Sequence, residues 1–238
     1  ERWRLVLVAR NQEALKAVAI AAQGLSGTTA DVLPVDLADP AGPEKVMRAL
    51  ERESIVVDAL VNNAGFGSNG AFASARVENE LAMIQVNVAA VTHLTRLLLP
   101  GMIERRRGRV LNVASTAAFQ AGPFMAVYYA SKAFVLSFSE ALAEELRGTG
   151  VTATALCPGP TRTGFGDRAG MHEIRLFSRG LLRMHTAQAV AEVGYRGMMR
   201  GQAVVIPGLL NRLGVQSVRF SPRSLVRRIV RRLNSPRS

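Results

Sequence analysis

Short runs of consecutive apolar and β-branched residues alternate along this chain with longer stretches in which apolar residues recur every three or four positions. The short runs are Arg4–Ala9, Asp31–Val35, Asp58–Asn62, Arg109–Val113, Thr152–Leu156 and Ala203–Ile206. Segments such as Ala59-Leu60-Val61 and Val110-Leu111-Asn112-Val113 show no polar alternation, which suits strands buried on both faces of a parallel sheet. The longer stretches predict helices over Gln12–Gln23, Glu44–Glu53, Asn79–Met102, Val127–Arg147 and Thr186–Arg200. Gly148-Thr149-Gly150 then stops a helix and leads straight into a strand. Regular strand–helix alternation predicts one doubly wound α/β domain around a parallel sheet. Ligands of such sheets bind beyond the carboxyl ends of the strands. That rule points to Arg10, Asp36, Asn62 to Gly65, Ser115 and Pro158 to Thr163.

Composition narrows the chemistry. The chain has 238 residues, 48% of them apolar, enough for one well-buried domain. A lone Cys157 rules out an internal disulfide and reads as a small buried hydrophobe in a reducing compartment. His93, His172 and His185 are scattered without metal-ligand spacing, so no metal site is expected. No run of about 18 uncharged apolar residues suggests a membrane span. The opening Glu1-Arg2-Trp3-Arg4 is neither a signal peptide nor an initiator methionine. The net charge of +12 is lopsided, because ten arginines and no acidic residue follow Glu192.

Tyr128 and Lys132 lie four apart near the start of a predicted helix, one turn apart on one face. A phenol with a pKa of about 10 works poorly near neutrality, and bringing it to about 7 needs about 4 kcal/mol of phenolate stabilisation. A neighbouring ammonium, helped by an oxidised nicotinamide, is a suitable source. Ser115, just past a strand, can hydrogen-bond a carbonyl or alkoxide oxygen. Taken alone, a tyrosine four residues before a lysine is weak evidence.

Several motifs in one order make it stronger. Asn62-Asn63-Ala64-Gly65, Ser115 placed 13 residues before Tyr128, Tyr128-Tyr129-Ala130-Ser131-Lys132 and Pro158-Gly159-Pro160-Thr161-Arg162-Thr163 together resemble the short-chain dehydrogenase/reductase family over nearly the whole chain. The resemblance implies a single Rossmann-like domain and an oxidoreductase interconverting a ketone or aldehyde and an alcohol. It implies that Tyr128 transfers the proton, Ser115 orients the carbonyl, and Lys132 holds the ribose hydroxyls while lowering the Tyr128 pKa. Asn87 would anchor a water in the proton relay. Pro158, Gly159 and Thr161 would close over the nicotinamide, Asn63 and Gly65 would lie against the adenosine half, and Asp36 would approach the adenine. Tyr129, three residues before Lys132, departs from the spacing and is expected to pack elsewhere. A homodimer or tetramer around the two long helices is also implied. The alternative is a non-catalytic NADP(H)-binding sensor on the same scaffold.

An acidic residue that would bond the ribose 2′-hydroxyl of NAD is absent after Leu5-Val6-Leu7-Val8. Arg10 stands there instead, and its planar fork of donors suits a 2′-phosphate, so NADP(H) is expected. Gly65-Phe66-Gly67-Ser68-Asn69-Gly70 spells G-x-G-x-x-G but follows the wrong strand, and a lone match is weak. The family's first strand and its glycine-rich turn are missing, which should leave a gap in mid-sheet. A βα unit of roughly 30 residues upstream is therefore expected in the natural protein.

The segment Gly164 to Leu182 mixes Phe165, Met171, Ile174, Leu176 and Phe177 with polar residues, and in this family would cover an apolar or mixed substrate. Residues 1–208 are read as the catalytic domain and 209–238 as a basic extension. After Ser221-Pro222, which has helix-start character, Leu225, Val226, Ile229, Val230 and Leu233 form one stripe and Arg227, Arg228, Arg231 and Arg232 the other face. Such a helix either rests on anionic lipid or packs its stripe on the domain or a second subunit. Without aromatic interleaving beyond Phe220, nucleic acid is not expected. A cytoplasmic protein is expected, peripheral to the inner membrane surface if the lipid alternative holds.

Overall fold

The computed structural model describes residues 3–168 and 184–235. Of the mixed segment, Met171, Ile174, Leu176 and Phe177 lie outside the described residues. The order is β1 (Leu5–Ala9), α1 (Gln12–Ser26), β2 (Ala30–Pro34), α2 (Gly42–Arg52), β3 (Ala59–Asn62), α3 (Val77–Ile84), α4 (Ala90–Glu104) and β4 (Gly108–Val113). Next come α5 (Ala126–Glu145), β5 (Val151–Leu156), β6 (Thr161–Arg162), α6 (Phe165–Arg168), β7 (His185–Thr186), α7 (Ala187–Met199), β8 (Val204–Val205), α8 (Leu209–Phe220) and α9 (Arg223–Asn234). Among the described residues every strand pairing is parallel, as the unbroken apolar runs predict.

The main sheet falls into two pieces. β1 pairs with β2, while β3, β4, β5 and β8 form a four-stranded sheet. The break lies between β1 and β3, where the missing first strand was expected to leave a gap. Val61 on β3 is half exposed as a result. What keeps the pieces in line is a shared apolar cluster of Val35, Val46, Leu50 and Leu94, against which Val8 of β1 and Leu60 of β3 both pack. Burying each such side chain is worth roughly 1.5–3 kcal/mol.

The helix expected over Asn79–Met102 is a longer run, Val77–Glu104, of 28 residues. By length and composition alone it could cross a membrane, but here Met83, Val91, Leu94 and Met102 face the core. It is interrupted by one wide π turn at Gln85–Ala89, a feature that periodicity does not reveal. The chain after Gly208, read as an extension, contains α8 as well as α9. Ser221 does not cap α9, since its hydroxyl donates to Ser217 O at the end of α8, and Pro222 occupies the cap position.

A buried polar network crosses the four-stranded sheet. Asn62 donates to Thr95 Oγ1 (3.1 Å) and to Asn112 Oδ1 (2.8 Å), and Asn112 donates to Ser139 Oγ (2.9 Å). Thr95 and Ser139 return their protons to Val91 O and Val135 O. β3, β4, α4 and α5 are thereby fixed to one another by bonds with defined geometry. Each member is buried, so removing one strands its partners. Asn112→Ala should lower unfolding free energy by about 2–3 kcal/mol in urea titration; a loss below about 1 kcal/mol would show that the network does not lock the strands.

Candidate active site

The site gathers at the carboxyl ends of β3, β4 and β5. β4 ends at Val113, and Ser115 then accepts a bond from Ala117 N (3.1 Å), starting a short 3-10 turn over Thr116–Phe119. Thr116 N donates to Pro158 O (2.9 Å), tying this turn to the loop after β5. α5 begins at Ala126, so Tyr128 and Lys132 occupy its first two turns. Both are buried, at 9% and 5% exposure. Lys132 Nζ donates to Val113 O at 2.7 Å and lies 5.9 Å from the centre of the Tyr128 ring.

Burial decides the protonation of both groups. It pushes the Lys132 amine down to about 8, with the neighbouring Cys157 opposing slightly. The Tyr128 phenol is pushed up to about 12, chiefly by burial; its hydrogen bond with Ser115 pulls the other way and Tyr129 adds to the rise. Lys132 is not among the groups that move this phenol, whose shift burial dominates. Burial thus favours the neutral phenol. Cys157 is a fully buried thiol, also pushed up to about 12 by burial.

The other predicted residues fall into three groups. Asn63, Gly65, Pro158, Gly159 and Thr161 line a cavity of about 830 Å³ together with Ser115, Tyr128 and Lys132. Asn87 sits behind that wall at 1% exposure, within the π turn. Its amide bridges Phe66 N (3.2 Å) and Phe66 O (3.0 Å) and donates to Ser131 Oγ (3.0 Å). These bonds brace the strand exit against α5. Arg10 and Asp36 lie apart from this cavity lining, at the carboxyl ends of β1 and β2, as an exposed pair 4.0 Å apart.

The glycines of the strand exit matter through close approach. A Cβ at Gly65 would stand 3.0 Å from Asn87 Oδ1 and 3.3 Å from Lys132 Nζ; one at Gly67 would stand 3.2 Å from the Tyr128 ring. This G-x-G-x-x-G stretch thus makes room for α5 and the amine, and it is not a phosphate turn at the start of a helix.

Sequence reasoning missed the far wall. Val215 and Val218 of α8 and Val226, Ile229 and Leu233 of α9 face the same cavity. Tyr129 also lines it, edge-on to Tyr128 at 6.0 Å, and its hydroxyl and the Asn234 amide bond each other at 3.3 and 3.4 Å. The stripe on α9 was visible as amphipathicity, but nothing in its pattern says what it covers.

The family profile described as short chain dehydrogenase matches residues 1–173. The ketoacyl reductase HetN of a Nostoc species is 35% identical over 159 residues, covering 67% of this chain and 55% of that protein. The chain thus spans little more than half the length of that curated relative. A short-chain dehydrogenase from Sphingobium yanoikuyae, solved in complex with NADPH, is 30% identical with a TM-score of 0.79, covering 94% of this chain and 85% of the other. A bulky-bulky ketone specific alcohol dehydrogenase from Comamonas testosteroni is 27% identical with a TM-score of 0.74, covering 92% and 85%. With its motifs gathered at one sheet edge and the family profile spanning most of its length, this chain belongs to the short-chain dehydrogenase family.

Proposed function

We propose that this protein is an oxidoreductase exchanging a hydride between NADP(H) and a ketone or aldehyde and its alcohol, with Tyr128 as the proton donor. The observation that carries this reading is a buried tyrosine one helical turn from a buried lysine, lining one large cavity together with Ser115. The Sphingobium protein's NADPH complex and the ketoacyl reductase relative point the same way.

The residues present fit the cofactor's nicotinamide and ribose. Lys132 has three donors; Val113 O takes one, and the cavity-lining amine can offer others to ribose hydroxyls. Gly65 leaves the backbone open beside that amine. The Thr161 hydroxyl donates to Gly159 O (2.9 Å) and keeps its acceptor lone pairs. At the other end, Arg10 offers a guanidinium fork to a 2′-phosphate, with Asp36 beside it. When bound, NADP(H) supplies the hydride. Ser115 orients the carbonyl oxygen by hydrogen bonding, Tyr128 gives that oxygen its proton, and Lys132 holds the ribose.

The quaternary reading follows from exposed apolar surface on the long helices. Leu81 (60% exposed) and Ile84 (42%) on α3, and Phe134 (39%) on α5, are where a homodimer would pack. The lone buried cysteine suits a reducing, cytoplasmic setting.

Tyr128→Phe should cut turnover by about 10²–10⁴-fold while NADPH binding, followed by nucleotide fluorescence, stays within about twofold; unchanged turnover would favour the sensor alternative. Losing one charge-assisted contact of about 1.5–3 kcal/mol, Arg10→Asp should weaken NADPH by about 10–100-fold with little effect on NADH. Equal weakening of both would remove Arg10 from 2′-phosphate recognition. Light scattering on Leu81→Glu combined with Phe134→Glu should report a smaller assembly than the unaltered chain; an unchanged mass would place the interface elsewhere.

A further inference from the structure

Among the described residues, α9 is held in place more firmly than an unattached tail requires. Val230 is 6% exposed and packs with Met83, Met125, Tyr128 and Tyr129. Asn234, in the last turn, is fully buried. Its amide donates to Pro123 O (3.0 Å) and bonds the Tyr129 hydroxyl, and its backbone carbonyl accepts from Asn69 Nδ2 (3.0 Å). A fully bonded amide at a buried helix end fixes one docking geometry, because any shift would leave polar atoms unpaired.

That geometry leaves part of the apolar stripe without protein cover. Residues 226, 229, 230 and 233 share one face of the helix. Val230 goes into the cluster, whereas Ile229 and Leu233 remain 49% and 37% exposed and line the cavity shared by Ser115 and Tyr128. Arg227, Arg228, Arg231 and Arg232 stay on the exposed side. The stripe therefore faces inward, opposite the reacting groups.

We propose that α9 is the specificity wall of the site: the non-reacting part of the substrate is an extended or bulky apolar group that lies against Val226, Ile229 and Leu233 while its carbonyl meets Tyr128 and Ser115. This rests on the oxidoreductase reading for the carbonyl, but the wall itself is a binding claim. Charged or small hydrophilic carbonyl compounds gain nothing from such a surface. Each methylene covered by the wall tightens binding by about fourfold, the equivalent of about 0.8 kcal/mol.

The test is displacement of the neutral probe N-phenyl-1-naphthylamine by methyl ketones from 2-butanone to 2-undecanone, with NADPH oxidation measured in parallel. In the unaltered protein, affinity should climb with chain length. Ile229→Ala combined with Leu233→Ala should weaken 2-undecanone by about tenfold or more and leave 2-butanone within twofold. Leu233→Trp, which fills the space instead of opening it, should move the preferred chain length shorter. A flat profile in the unaltered protein, or one unchanged in both variants, overturns the wall. If the ketones bind with the expected profile but none is reduced, the oxidoreductase reading fails while the wall stands. Turnover with a profile indifferent to both variants does the reverse.

Discussion

The site depends on the burial of one amine. Lys132 brings a positive charge beneath the carboxyl edge of the sheet, where desolvation disfavours it, and the structure answers with a short bond to Val113 O. That bond needs β4 to end where it does and α5 to start within two turns of Lys132. It also needs Gly65 without a side chain, because a Cβ there would crowd the amine. Asn87 completes the arrangement by tying the Phe66 backbone to Ser131, one residue before the lysine. The hydroxyl of Ser131 in turn donates to Tyr128 O at 2.7 Å. Lysine, tyrosine and strand exit are thus one mechanical unit.

The same edge must be kept in register although the sheet is broken between β1 and β3. Parallel pairing supplies alignment within each piece, and across the break side-chain packing through Val35, Val46, Leu50 and Leu94 contributes it. Within the larger piece the Asn62–Asn112–Ser139 chain adds directional bonds. A motif asparagine next to the site therefore acts through the core, while its neighbour Asn63 faces the cavity. Adjacent residues on a strand end point to opposite faces, and so the motif serves both purposes at once.

Much of this was legible beforehand because it is local. Unbroken apolar runs announced parallel strands, and the four-residue spacing of Tyr128 and Lys132 announced a shared helix face. What was not legible depends on contacts distant in sequence. The π turn at Gln85–Ala89 accompanies Asn87 reaching Phe66, 21 positions earlier. α8 went unseen because Leu209, Leu210 and Leu213 are exposed and Gly214 interrupts the pattern. Asn234 gives no signal at all, since its partners Asn69, Pro123 and Tyr129 lie more than 100 positions away. The depth of burial at Tyr128 was not legible either, because sequence shows a neighbouring charge but not how far the phenol is withdrawn from water.

The most direct measurement of the central claim is an NMR pH titration of the protein labelled with ¹³C at lysine Cε. The chain has three lysines, Lys16, Lys45 and Lys132, and the first two are surface residues that serve as references. One signal should titrate near pH 8 and vanish in Lys132→Met. If the signal that vanishes in Lys132→Met titrates instead near the ordinary lysine value of about 10.4, the amine is not buried beneath the sheet edge, and the account built on it is wrong.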